Sequence, residues 1–263
     1  MRAAIGPGPF PEHWWTRCDP LRLERIAGVI RDMGADIVAL QEVAVLALDG
    51  DVVDQAAELA RLTGLSHRYG AVRTWVADGP DGVAGAGLFG NALLTRAEPA
   101  DPLVVALPAA ASHARIEAAG SGGAWAGVTY EDAPSTVREP RCALLATVDG
   151  VRVASAHLSH VGSGERLLQA QALANTDAEL VLGDLNSPLD APAMSPFTTW
   201  TDAFAAVGVP LGDDRRRSTD DGWPIDQVLL RPGAPWLVET CEVVRAAGEA
   251  SDHYPVVAEL LPR

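Results

Sequence analysis

Residues 19–42 read DPLRLERIAGVIRDMGADIVALQE, and this stretch decides the fold class. Asp19-Pro20 is a helix start: an aspartate cap, then a proline whose missing N–H is tolerated in the first turn. Leu21, Ile26, Val29, Ile30 and Met33 recur at roughly helical spacing, and Gly34 is placed to end the helix. Asp36–Gln41 follows as a run short enough for a strand and apolar enough to be buried on both faces. Upstream, Met1–Ile5 has the make-up of a short first strand before a proline-rich loop. Downstream, a second helix is expected over Val53–Leu62, closed by Gly64. Strand and helix alternating in this way mark an α/β protein.

Beyond residue 66 the pattern loosens. Between residues 66 and 140 only Gly87–Leu94 (GLFGNALL) has the character of a strand, and Ala109–Thr129 reads as an inserted or flexible segment. Regularity returns with strands at Cys142–Val148 and Val151–His157, joined across Asp149-Gly150, a strong hairpin signal. A helix around Glu165–Ala174 follows, then strands at Glu179–Leu182, Ile225–Leu230 and Pro255–Leu260. Hairpins mixed with helices point to two sheets packed together with helices outside. With no repeat and no long linker, one domain over residues 1–263 is expected.

Composition narrows the chemistry. The chain has 263 residues, 20 basic and 35 acidic, for a net charge of −15, and all of its basic residues are arginine. Without lysine there is no Schiff-base chemistry, no internal pyridoxal-phosphate lysine and no P-loop. The acidic balance argues against a broad footprint on nucleic acid or anionic membrane. No basic region followed by an apolar stretch opens the sequence, and no apolar run reaches the ~18–20 residues of a membrane span. A soluble, cytoplasmic protein is expected. Cys18, Cys142 and Cys241 are widely spaced with no CxxC, so they read as reduced, mostly buried thiols. His157 and His160 give only two imidazoles, which with scattered cysteines makes no zinc quartet.

Chemistry-bearing side chains gather at strand ends. Glu42 follows the 37–41 run, His157 the 151–156 run, and Asp184 and Asn186 the 180–183 run; Asp226 opens 227–230, and Asp252 and His253 precede 256–257. Singly, each is open to a turn or structural role. Recurrence at five strand ends favours a site, because that is where a sheet presents residues to a ligand. Phosphoester hydrolysis needs charge neutralisation on the nonbridging oxygens, an activated water and a stabilised leaving oxygen. Glu42 and Asp252 offer hard oxygens for a divalent metal. Asp184 can position or deprotonate water, the histidines can donate to the phosphate, and Asp226 can fix a histidine's tautomer.

With those residues in place, the sequence resembles the endonuclease/exonuclease/phosphatase superfamily, of deoxyribonuclease, exonuclease and sphingomyelinase type. The resemblance is carried by DIVALQEV (36–43), GLFGNALLTR (87–96), Arg141–His157 running into SAHLSH, GDLN (183–186), PIDQVL (224–229) and SDHY (251–254), in the family's order. It implies a four-layer α/β sandwich of two packed mixed β-sheets flanked by helices, and Mg²⁺-dependent phosphoester cleavage, with Mn²⁺ as a possible substitute. It implies Glu42 as the metal-binding glutamate and Asp252 as completing the metal shell or its water network. Asp184 would orient or activate water, Asn186 would contact the phosphate, and His157 and His253 would clasp it. Asp226 would support His253. Arg141 resembles an arginine that opens the preceding strand and Asn91 a residue near the floor of the site, and both are expected to bind substrate. One departure stands out: the first strand of the family normally ends in a metal-holding asparagine, and residues 1–7 contain none.

The substrate is read from weaker signals. Arg215, Arg216 and Arg217 lie shortly before Asp226 and can clamp an anionic group, although Asp213, Asp214, Asp220 and Asp221 flank them and allow a self-compensated loop. Trp14, Trp15, Trp75 and Trp125 can line a pocket or fill a core. No basic stripe is interleaved with aromatics as a nucleic-acid groove requires. A small-molecule or lipid-like phosphoester is therefore favoured over duplex DNA. The alternative is a non-hydrolytic binding protein, or a repurposed biosynthetic one, on the same fold.

Overall fold

The structure, a computed structural model, describes residues 20–48, 51–78, 84–108, 141–160 and 162–263. The proposed first strand at Met1–Ile5, the segment Ala109–Thr129, and Trp14, Trp15, Cys18 and Trp125 lie outside them. In chain order the elements are helix α1 (Pro20–Met33), strands β1 (Ile37–Leu48) and β2 (Asp51–Asp54), helix α2 (Gln55–Thr63), and strands β3 (Ser66–Asp78), β4 (Ala84–Thr95), β5 (Ala100–Leu107), β6 (Arg141–Val148) and β7 (Val151–His157). Helix α3 (Ser163–Ala174) and strand β8 (Leu180–Asp184) follow, then β9 (Thr201–Asp202), α4 (Ala203–Ala206), β10 (Asp226–Leu230), β11 (Trp236–Val243) and β12 (Val256–Pro262).

Two sheets dominate: β2-β1-β4-β3, and β5-β6-β7-β8-β10-β9 with one parallel pair, β7 and β8; β11 and β12 form a separate two-stranded ribbon. Alternation along the strands shows how the layers stack. Val38 and Leu40 of β1 share a core with Leu23, Ile26, Ala27 and Ile30 of α1 and Leu59 of α2. Ile37 and Ala39, one residue out of step, join Leu144, Ala146, Val153, Leu180 and Val228 between the sheets. Ala143, Leu145, Ala154, Ala156 and Val181 turn the other way, onto Ala170 and Leu173 of α3. Helices, sheet, sheet and helix make the four expected layers. Double burial accounts for the apolar runs that the sequence displays.

Local boundaries follow their chemistry. Gly34 and Gly64 end the first two helices with φ of 61° and 73°, and Asp54 caps α2 by accepting from Ala57 N–H at 2.9 Å. The buried stripe of α1 is Leu23-Ile26-Ala27-Ile30; Leu21, expected on that face, is exposed. Asp149 and Gly150 both take positive φ and place Val148 opposite Val151, the tight hairpin anticipated there. The region beyond residue 66, expected to hold one strand, holds three, because Gly70 and Gly90 mark a close approach rather than a break. A Cβ on Gly90 would sit 1.9 Å from the Gly70 carbonyl oxygen. The buried thiols of Cys142 and Cys241 are pushed up to about 11 and about 12, chiefly by burial. Among the described residues no helix is long and apolar enough to cross a membrane.

Candidate active site

Strand register assembles the centre of the site. His157, the last residue of β7, is the parallel partner of Asp184, the last residue of β8. Asp184 is in turn the antiparallel partner of Asp226, the first residue of β10. Three neighbouring strands thus end on one rung, which sets three polar side chains abreast at the ~4.8 Å interstrand spacing. Gly183 makes the rung possible: a Cβ there would lie 1.9 Å from the Ala156 carbonyl oxygen.

His253 comes from the loop before β12. That loop is held by a Thr219–His253 bridge and by Tyr254 N–H donating to the Ser218 carbonyl at 2.6 Å. His253 Nδ1 lies 2.8 Å from Asp226 Oδ2, the same oxygen that accepts from the Ser218 hydroxyl at 2.6 Å. Ligand atoms of Asp184, Asp226 and His253 fall within 4.8 Å of one another, and all three residues are buried. Asn186, two residues past Asp184, adopts φ of 51° as its N–H turns back to Asp184 Oδ1 at 2.8 Å. Its amide nitrogen lies 2.7 Å from the Leu158 carbonyl oxygen and 3.0 Å from His157 Nε2. On the far side of that ring, His157 Nδ1 meets Arg141 Nη1 at 3.0 Å.

Glu42, expected at the end of its strand, sits inside β1, which continues to Leu48; it lies at a bulge where the pairing with β4 slips between Leu40 and Val43, and it takes φ of 56°. A left-handed backbone at a non-glycine residue costs on the order of 1 kcal/mol. Here it aims a buried carboxylate out of step with its strand. Gln41, one residue earlier, donates across the sheets to Ser155 Oγ at 3.1 Å, which ties the bulge to β7 two residues before His157. Asp252 is exposed beside His253.

Electrostatics split the two central aspartates. Burial and the neighbouring Asp226 carboxylate push Asp184 up to about 7, against the pull of His253 and the Asn186 N–H. Burial works in the same direction on Asp226, but the hydrogen bond and charge of His253, helped by Ser218, hold it below the usual carboxylate range. For His253, burial opposes the proton, yet Asp226, with Asp184 adding, wins and raises it. Asp226 and His253 form the ion pair, and Asp184 is the carboxyl poised to change charge near neutrality.

The remaining candidates are placed elsewhere. Asn91, expected to touch substrate, is buried between the sheets and donates to the Cys142 carbonyl at 2.8 Å, so it staples strands. The three arginines before Asp226 do not act as one clamp. Arg216 turns into the core, 2% exposed, against Asp202 at 2.7 Å and the Phe204 ring. Arg215 and Arg217 pair with Asp213 and Asp214 on the surface, each at 2.7 Å. Arg216→Met is therefore expected to cost about 3–5 kcal/mol by leaving Asp202 without its buried partner. Arg215→Gln with Arg217→Gln should leave both stability and KM near wild type. Urea melts and steady-state kinetics check both.

Ser218 was not among the residues singled out from sequence. It stands eight residues before Asp226 in an Arg-Ser-Thr-Asp stretch that reads as an ordinary loop, and only the folded contact reveals its role.

Fold and site together define a class: a two-sheet α/β sandwich with carboxylates and histidines gathered at its strand ends. The pattern of the Endonuclease/Exonuclease/phosphatase family matches residues 15–253, and the chain belongs to that family of phosphoester hydrolases. Three solved structures share the fold. An endonuclease/exonuclease/phosphatase from Beutenbergia cavernae is 24% identical with a TM-score of 0.60, over 99% of this chain and 69% of that one. The human Nocturnin catalytic domain with bound sulfate is 16% identical, TM-score 0.59, over 94% and 88%. A mannosyl-6-phosphatase from Bacteroides thetaiotaomicron is 17% identical, TM-score 0.54, over 92% and 91%. No curated protein sequence matches the chain.

Proposed function

We propose that the chain is a divalent-metal-dependent phosphoester hydrolase acting on a small-molecule or lipid-like phosphoester. The observation that carries this reading is the gathering of Asp184, Asp226 and His253, all buried, with ligand atoms within 4.8 Å of one another. Within it, burial and the neighbouring carboxylate raise Asp184 while His253 holds Asp226 low, so one group can exchange a proton and the other stay ionised. Asp184, held near neutrality, is matched to orienting a water and taking its proton. His253, kept protonated by Asp226, can donate to a phosphate or leaving oxygen. Asn186 and His157 face the same rung and would contact the phosphate.

The donor set suits Mg²⁺ or Mn²⁺. Glu42 at the β1 bulge and Asp184 and Asp226 at strand ends are buried hard-oxygen groups, and the repulsion that raises Asp184 is the kind a cation relieves. Glu42 and Asp252 would hold the ion. Bound there, it would neutralise charge on the phosphate oxygens. The preference for a small or lipid-like ester is supported by the net charge of −15 and by the pairing of Arg215, Arg216 and Arg217 with aspartates.

Turnover of bis-p-nitrophenyl phosphate and p-nitrophenyl phosphate, with Mg²⁺, Mn²⁺ or EDTA, tests the reading beside an Asp184→Ala control. Metal-dependent release that disappears in the control is the expected result. No release, together with no metal binding by calorimetry, would overturn it in favour of a binding protein on the same fold.

A further inference from the structure

The two histidines of the site have Nδ1 atoms that face groups of opposite kind. His253 Nδ1 meets a carboxylate oxygen, Asp226 Oδ2, at 2.8 Å. A carboxylate held ionised only accepts, so Nδ1 carries a proton and Nε2 is the nitrogen left to exchange one. His157 Nδ1 meets Arg141 Nη1 at 3.0 Å, with Arg141 6% and His157 4% exposed. A guanidinium has five N–H donors and no acceptor, so here Nδ1 must accept. The proton of the neutral ring then lies on Nε2.

We propose that Arg141 is a positioning residue that sets the tautomer of His157, holding it as the Nε2–H form. In that form His157 turns an N–H toward Asp184 Oδ2, 3.4 Å away, and toward any anion seated at the rung. The two imidazoles consequently divide the work. His253, fixed by an anion, is the one that carries a proton in and out; His157, fixed by a cation, is a standing hydrogen-bond donor. The tautomer rests on the Arg141 and Asp184 contacts, while its use on a phosphate rests on the hydrolase reading.

One contact pulls the other way. The Asn186 amide nitrogen, 3.0 Å from His157 Nε2, would prefer a lone pair there, and the Leu158 carbonyl at 2.7 Å keeps that nitrogen in place. Satisfying it would require the proton on Nδ1, directed at the guanidinium. A guanidinium has no acceptor to offer Nδ1, whereas the Asn186 amide can keep its bond to the Leu158 carbonyl and tilt its second N–H off the ring nitrogen. Arg141 and Asp184 together favour Nε2–H, and Asn186 is the partner that adjusts.

Long-range ¹H–¹⁵N correlation spectra of the uniformly labelled full chain, in EDTA at neutral pH, read the tautomer directly. The His157 signals are assigned by their disappearance in His157→Gln. Wild-type His157 is expected to show an unprotonated Nδ1 and a protonated Nε2. Arg141→Met should give a mixture of tautomers, and Arg141→Lys, still a pure donor, should retain Nε2–H. With an active ester, kcat of Arg141→Met should fall roughly 10–100-fold, as when a histidine's orienting partner is removed. A protonated Nδ1 in the wild-type spectrum would overturn the proposal whether or not the variants fold. So would an Arg141→Met spectrum that stays wholly Nε2–H. Because the spectrum needs no substrate, it separates this proposal from the hydrolase reading: inactive protein with the predicted tautomer sinks only the latter.

Discussion

Replacing His253 with alanine is expected to lower phosphoester turnover by at least ~10²-fold, the loss typical of removing a general acid–base group. The size of the effect follows from how the residue is held. Asp226 Oδ2 fixes Nδ1, the Thr219 bridge and the Tyr254–Ser218 hydrogen bond fix the loop, and the pair is buried. Alanine also strips Asp226 of its charge partner and leaves the Ser218 hydroxyl to satisfy that oxygen. Some loss of stability should therefore accompany the loss of activity. His253→Asn separates the two effects, because its amide nitrogen takes the place of Nδ1 and can still donate to Asp226 but cannot carry a proton. Turnover should fall comparably in both variants, with the asparagine protein melting closer to wild type. Near-normal turnover in either one would remove His253 from the chemistry.

What could be seen in the sequence, and what could not, divides along a physical line. Elements buried on both faces announced themselves: DIVALQ and the two strands around Asp149-Gly150 are apolar because two layers cover them. Strands with an open face were missed. β5 is exposed along most of its length, and β3 begins Ser-His-Arg-Tyr-Gly, a run with no alternation to betray a strand. Glycines misled for a related reason, since Gly70 and Gly90 permit strands to touch where a sequence reader expects a loop.

The candidate site was legible to the extent that its residues close apolar runs, as Glu42 does although β1 continues past it to Leu48. Apolar runs ending in Glu42, His157 and Asp184 can be picked out without a structure. Register cannot: that His157, Asp184 and Asp226 share one rung depends on pairings between strands far apart in the chain. Partner choice was equally hidden. Nothing in an Arg-Arg-Arg run says that the middle guanidinium faces inward to Asp202, or that Arg141, sixteen residues before His157, ends against its ring. The bulge that turns Glu42 is likewise invisible, because its left-handed backbone is imposed by the slip against β4 and not by any residue that favours it.

Asp184→Asn should do two opposite things, and their combination is the sharper test of what the carboxyl is for. Turnover should fall by at least ~10²-fold, because an amide cannot take a proton from water. In EDTA the variant should nevertheless be more stable than wild type at pH 7.5. Asp184 holds its proton in the folded protein up to about 7, whereas the unfolded chain releases it near the ordinary aspartate value of 3.8. Between those limits the native state binds more protons than the unfolded one, so this carboxyl makes stability fall as pH rises. Asparagine has no proton to lose. The advantage of the variant should thus be small near pH 4, grow toward pH 7 and level off above it. The Asp226–His253 pair is present in both proteins and largely cancels from the difference, apart from the support that Asp184 lends His253. Urea midpoints for the two proteins at pH 4.5, 6.0 and 7.5 give the curve. Adding Mg²⁺ at pH 7.5 should narrow the gap by stabilising the wild type more, since a cation that relieves the Asp184–Asp226 repulsion gains less when one charge is already gone. A difference that does not vary with pH would mean that Asp184 is not the strained carboxyl of this site, and its assignment as the proton acceptor would go with it.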